Sequence, residues 1–172
     1  MKQKEIFYLL FRYFILIILS LDNLYLFYFI FTPLTVYPVS WILNLFYDSY
    51  LINNSMIYFN GLILNIIPAC VAGAAYYLLL ALNLTTSIEI KKRIKSILFL
   101  FASFLVLNII RMIIFSILYI NGFEYFNIAH KTIWYVGSTI MLAGIWFINV
   151  WLFNIKKIPV YSDIKRIIEN VF

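Results

Sequence analysis

The stretch Asn65 to Leu84, NIIPACVAGAAYYLLLALNL, decides how this chain is read. It is an almost unbroken apolar run, and it holds the only cysteine, Cys70, beside the small residues Ala69, Ala72, Gly73, Ala74 and Ala75. Small side chains let neighbouring helices approach closely inside a membrane, and Gly73 falls one turn from Cys70 on the same helical face. Pro68 lacks a backbone N–H, so it marks a kink or a helix start just ahead of the thiol. The pattern predicts a helix from Leu62 to Leu84.

Composition says the same of the whole chain. Over 172 residues, 65% are hydrophobic and only 12% charged, and the mean hydropathy is +0.98. Those values lie outside the range of soluble domains and inside that of multispanning membrane proteins. We expect one integral membrane domain over residues 1–172. The net charge of +6 sits in short clusters that flank apolar runs, which is how membrane orientation is encoded, so nucleic acid is not an expected partner and membrane lipids are. One cysteine excludes an intrachain disulfide and a thiolate metal cage; it leaves a reactive thiol or a small packing residue.

Working outward, Ile6 to Phe31 is long enough to span a hydrocarbon core of about 30 Å and is expected to stay as an anchor. Arg12 is placed to snorkel back toward Lys2 and Lys4. Asp22 is too deep and too short to escape, so it requires a partner, or else an Asp22-Asn23 kink at a polar crevice. Pro33 to Tyr50 opens with two prolines and is short for a span, which predicts an interfacial or re-entrant helix. Residues 51–67 read as an exposed loop or short hairpin around Asn60-Gly61, with an acceptor-type Asn53-Asn54-Ser55 sequence compatible with an outside loop. Further spans are predicted from Ser96 to about Ile120 and from the polar loop at 121–127 through Trp151. The tail places Ile164, Ile167, Ile168 and Val171 at helical spacing, as an amphipathic surface helix does. The expected fold is therefore an all-α bundle of about four transmembrane helices, with an interfacial or re-entrant segment and a C-terminal amphipathic helix.

Eleven of the thirteen basic residues fall on one side if the N-terminus, the 85–95 loop and the tail are cytoplasmic. The expected localisation is thus a multi-pass protein of the cell membrane, with both termini cytoplasmic and the 51–67 and 121–129 loops outside. On this topology Cys70, Arg111 and His130, the only histidine, share the outer half of the bilayer. Asp22 falls at a depth similar to Arg111, so an Asp22–Arg111 pair is expected to make the intramembrane guanidinium tolerable. Asn108 lies three residues before Arg111 and shares its stripe.

A thiol is a weak nucleophile until a cation or an imidazole favours the thiolate. Arg111 brings a permanent positive charge with planar N–H donors, and His130 is suited to shuttling protons at neutral pH. Together they would carry acyl transfer through a thioester. The competing reading is a non-enzymatic membrane subunit or small transporter with a polar path lined by Asp22, Arg111 and His130. Neither Gly-x-Ser-Gly nor His-Glu-x-x-His occurs, which disfavours rhomboid-like and metal-dependent proteolysis, and no cofactor or metal is expected.

In ACVAGAAYYLL around Cys70, NIIR ending at Arg111, and His130 opening the last span, the sequence resembles the exosortase and archaeosortase family of membrane transpeptidases. The resemblance covers residues 51–151 or so, in the compact size of archaeal members. It implies an outward-facing site that cleaves a C-terminal sorting signal, made of a short motif, a hydrophobic helix and a basic tail, from secreted single-pass proteins. The acyl group then passes to a lipid or other surface acceptor. By the same resemblance Cys70 is the nucleophile, Arg111 the thiolate or oxyanion stabiliser and His130 the proton shuttle. CVAG departs from the family's more usual Cys, Ser or Thr, then Gly, and so lacks a hydroxyl near the thiol.

Overall fold

A computed structural model describes residues 3–161 and 163. In chain order it contains α1 (Gln3–Ser20), α2 (Tyr25–Asn44), strands β1 (Ser49–Leu51), β2 (Met56–Phe59) and β3 (Leu62–Asn65), then α3 (Pro68–Val71), α4 (Gly73–Leu84), α5 (Ile90–Ile120), α6 (Phe126–Thr132) and α7 (Ser138–Leu152). Three stretches, Asp22–Asn44, Ile90–Ile120 and Phe126–Leu152, are long and apolar enough to cross a membrane. Their outer faces stay greasy: Leu98, Ile140 and Phe147 are each about two-thirds exposed, which lipid tolerates and water does not. The chain is a membrane protein.

Several expectations change. The first span is not Ile6 to Phe31, because Asp22, Asn23 and Leu24 all adopt left-handed φ values (53°, 50° and 62°) and split the run into α1 and α2. Short polar side chains adopt that conformation more readily than most, so Asp-Asn breaks the helix. The prolines do not: Pro33 and Pro38 lie inside α2, and no interfacial or re-entrant helix forms at Pro33 to Tyr50. A helix in a bilayer keeps such residues when its neighbours hold it straight enough. The buried face of α2, with Phe31, Val36, Val39 and Leu43, packs on α4 and α5 in the same core as Tyr76, Leu79, Leu100 and Phe104.

The fold is mostly helical but not all-α. Residues 49–65 form an antiparallel sheet in the order β1-β2-β3, closed between β2 and β3 by Asn60-Gly61 with φ of 45° and 86°. Positive φ at both positions is the hairpin turn that Asn-Gly favours. The cysteine helix is correspondingly shorter than Leu62 to Leu84. It starts at Pro68, where a missing N–H costs nothing, and is interrupted at Ala72 (φ 59°).

Polar contacts tie the helices together at the end opposite the sheet. Asn83 Nδ2 donates to Ser96 Oγ (2.6 Å), and Ser96 Oγ to Asn149 Oδ1 (2.7 Å), so α4, α5 and α7 share one buried link. Arg93 is buried and donates to the carbonyl of Thr86 (2.8 Å). Arg12 does not snorkel: it is buried, donates to the Thr86 carbonyl (3.2 Å) and pairs with Asp163 (2.8 Å). The amphipathic helix expected at Ile164, Ile167, Ile168 and Val171 lies outside the described residues.

Candidate active site

A cavity of about 860 Å³ opens beside the sheet, between β3, α3, the outer part of α5, and α6 with the turn after it. Cys70, Arg111 and His130 all line it. These are the chain's only cysteine, its one arginine far from the basic clusters, and its only histidine. Among the described residues no carboxylate lines the cavity, whereas Lys131 does, so its field is positive, and apart from Asn65 and Ser116 its other walls are apolar or aromatic.

Each side chain reaches the cavity for a local reason. Cys70 lies in the single turn of α3, fixed between Pro68 and the left-handed Ala72, a conformation that costs a non-glycine residue on the order of 1 kcal/mol. The Cys70 carbonyl, turned out of the helical pattern by that break, accepts a hydrogen bond from the fully buried Asn108 Nδ2 (2.9 Å) and one from Arg111 Nη2 (3.4 Å). Asn108 thus does more than share a stripe with Arg111, since it ties α5 to the backbone of the cysteine turn. The half-buried thiol is free.

Arg111 finds its other partner on the last helix, donating from Nη1 to Ser138 Oγ at 2.8 Å. Ser138 follows a π-helical turn, Ile133–Gly137, and its hydroxyl donates to the Ile133 carbonyl five residues back (3.3 Å). That wider turn leaves the Ser138 oxygen lone pairs to the guanidinium; π-turns of this kind recur at functional sites. Nothing in the sequence singled out Ser138, because its role depends on a turn that periodicity does not encode.

His130 is exposed on α6, its ring stacked on Phe126 (5.6 Å) and edge-on to Phe115 (5.1 Å). Phe115 lies one turn beyond Arg111 on α5, so the imidazole packs against the turn of α5 next to the one that carries the guanidinium. Among the described residues, no hydrogen bond links the thiol, guanidinium and imidazole to one another. They line a common space.

Two expected supports behave differently. Gly73 abuts α2, where a Cβ would come within 2.8 Å of the Tyr28 ring, so its smallness serves helix approach next to the cysteine turn. Asp22 does not reach Arg111. It is exposed at the start of α2, whose next turns pack Phe27 and Phe31 against Phe101, ten residues and about 15 Å from Arg111 along α5. The expected Asp22–Arg111 pair is therefore replaced by Ser138 and the Cys70 carbonyl, and Asp22 is not among the residues that line the cavity with Arg111 and His130. The depth expected for Cys70 also shifts, because residues 62–65 rise as strand rather than helix. Among the described residues, no group of three or more His, Cys, Asp or Glu side chains could hold a metal ion. No family model, curated protein or solved structure matches the chain with significance.

Proposed function

We propose that this chain is a membrane-embedded cysteine transpeptidase or peptidase of the exosortase and archaeosortase kind, acting on the C-terminal sorting signals of secreted single-pass proteins. The observation that carries the reading is that three scarce polar residues, 41 positions apart for Cys70 and Arg111, line one cavity whose remaining walls are largely apolar. A packing cysteine has no need of that company.

In the proposed reaction, Cys70 Sγ attacks the carbonyl carbon of the scissile peptide bond and its proton passes to the His130 imidazole. Arg111, held by Ser138 with its fork toward the cysteine turn, stabilises the oxyanion of the tetrahedral intermediate. Collapse breaks the C–N bond, the leaving amine takes the proton from His130, and a thioester remains on Cys70. A water, or an amine or hydroxyl of a surface acceptor, then gives its proton to His130 and attacks the thioester, and the thiol is regenerated.

Orientation follows from charge. Lys92, Lys156 and Lys157 gather around one shallow pocket at the end of the bundle away from the sheet. The positive-inside rule makes that end cytoplasmic and turns the cavity outward, with both termini inside.

The test replaces Cys70 by Ala and by Ser in the source cells and follows the C-terminal tails of secreted single-pass proteins by mass spectrometry. Uncleaved tails should accumulate in both variants while the protein stays in the membrane. Normal cleavage in either would overturn the reading, and a silent Cys70→Ala beside a defective Arg111→Ala would favour the non-enzymatic alternative.

A further inference from the structure

β3 is an edge strand, and its free edge faces the cavity. Side chains of a strand alternate between faces, so a cavity lying over one face would touch every second residue. Here all six consecutive residues from Leu62 to Ile67 line it, so the cavity reaches the free edge of the strand and not one face alone. The hydrogen-bond register agrees. The two-residue turn at Asn60-Gly61 makes Phe59 and Leu62 a hydrogen-bonded pair, and Ile66 N–H donates to the Ser55 carbonyl (2.8 Å). By alternation Leu62, Leu64 and Ile66 spend their backbone groups on β2. The N–H and C=O of Ile63 and Asn65, and the N–H of Ile67, therefore point the other way, and no described hydrogen bond uses them.

Resting on the transpeptidase reading above, we infer that the sorting motif binds as an added β-strand on the free edge of β3, with its backbone paired to Ile63 and Asn65. An unpaired edge is a template for another extended chain, and a peptide of that form supplies the complementary groups. β3 continues through Ile66 and Ile67 directly into the Cys70 turn, so a chain running along it is delivered to the thiol. Phe115, Tyr119 and His130 line the same cavity, so a strand added to this edge would run past the imidazole as well as the thiol. Main-chain pairing also explains how such a site can hold a motif without a deep pocket for any one side chain.

Proline separates this from a side-chain contact. At Ile63 or Asn65 it deletes only an outward N–H, because edge positions tolerate it and the residues before them are already extended. Ile63→Pro and Asn65→Pro should accumulate the tails that accumulate in the Cys70→Ala strain, with processing down at least tenfold more than in Ile63→Ala and Asn65→Ala. Cys70 alkylation by N-ethylmaleimide in membranes should stay near the wild-type rate. Pro and Ala variants that lose equal amounts, or Pro variants that process normally, would overturn the inference while leaving the enzymatic reading intact. Should a Pro variant fail to accumulate, a photo-crosslinking residue at position 65 in the Cys70→Ala background decides: an adduct with an uncleaved tail supports strand addition, and its absence overturns it. Cells in which Cys70→Ala leaves no uncleaved tails would sink both.

Discussion

Replacing Arg111 by Met should leave the protein as stable as before, or more so, while abolishing processing. The guanidinium makes two hydrogen bonds to other elements, to Ser138 Oγ (2.8 Å) and to the Cys70 carbonyl (3.4 Å). Bonds of this kind average about 0.6 kcal/mol inside membranes, so Met forfeits roughly 1.2 kcal/mol. Against that, an arginine at a helix centre costs about 2.5 to 3.5 kcal/mol on the insertion scale. Because the side chain is half-buried and opens onto a wide cavity, about half of that cost is relieved by Met, and the net change is a stabilisation of about 0 to 0.5 kcal/mol. Reversible unfolding in detergent mixtures measures this term. Processing of C-terminal tails should meanwhile fall by about 10² or more, as loss of a positioned oxyanion donor does elsewhere. A destabilisation beyond about 2 kcal/mol would recast Arg111 as the clamp of α5 to α7. Unchanged processing would remove it from the chemistry altogether.

Other perturbations probe the supports. Asn108→Leu keeps the volume but releases the Cys70 carbonyl, so stability should change by less than about 1 kcal/mol while processing drops about tenfold to a hundredfold from a misplaced thiol; equal unfolding midpoints with unchanged processing would reduce Asn108 to packing. Gly73→Ala pushes a methyl against the Tyr28 ring and should cost about 1 to 3 kcal/mol, most of it restored by adding Tyr28→Leu in the same unfolding assay. At the other end, Asp163→Ala strands the buried Arg12 and should cost about 3 kcal/mol, whereas the double change Arg12→Met with Asp163→Leu should recover most of that loss.

The polar groups at the two ends of the bundle serve different ends by this account. Arg12, Arg93, Asn83, Ser96 and Asn149 bond to one another, to Asp163 or to the Asn83 and Thr86 carbonyls, and tie the basic end together. Among the described residues, Cys70 and His130 make no such bonds through their side chains, and both line the cavity.

Hydropathy alone determined that the chain lives in a membrane, because burying so many apolar residues in lipid needs no tertiary arrangement. The scarcity of polar residues within it likewise picked out Cys70, Arg111 and His130, and local backbone chemistry marked Pro68 as a kink or a helix start and Asn60-Gly61 as a turn, although the apolar pattern carried the helix back to Leu62. Tertiary structure decided the partners. Arg111 with Ser138 and Arg12 with Asp163 are 27 and 151 positions apart, and periodicity along one helix says nothing about which face of another it meets. It also decided where α2 begins, since Asp-Asn and proline both weaken a helix and only packing chose the former as the break. The edge of β3 exists because a hairpin folds beside the cysteine turn, and a run of four apolar or polar letters, LILN, reads equally well as the start of a helix until its neighbour β2 is in place.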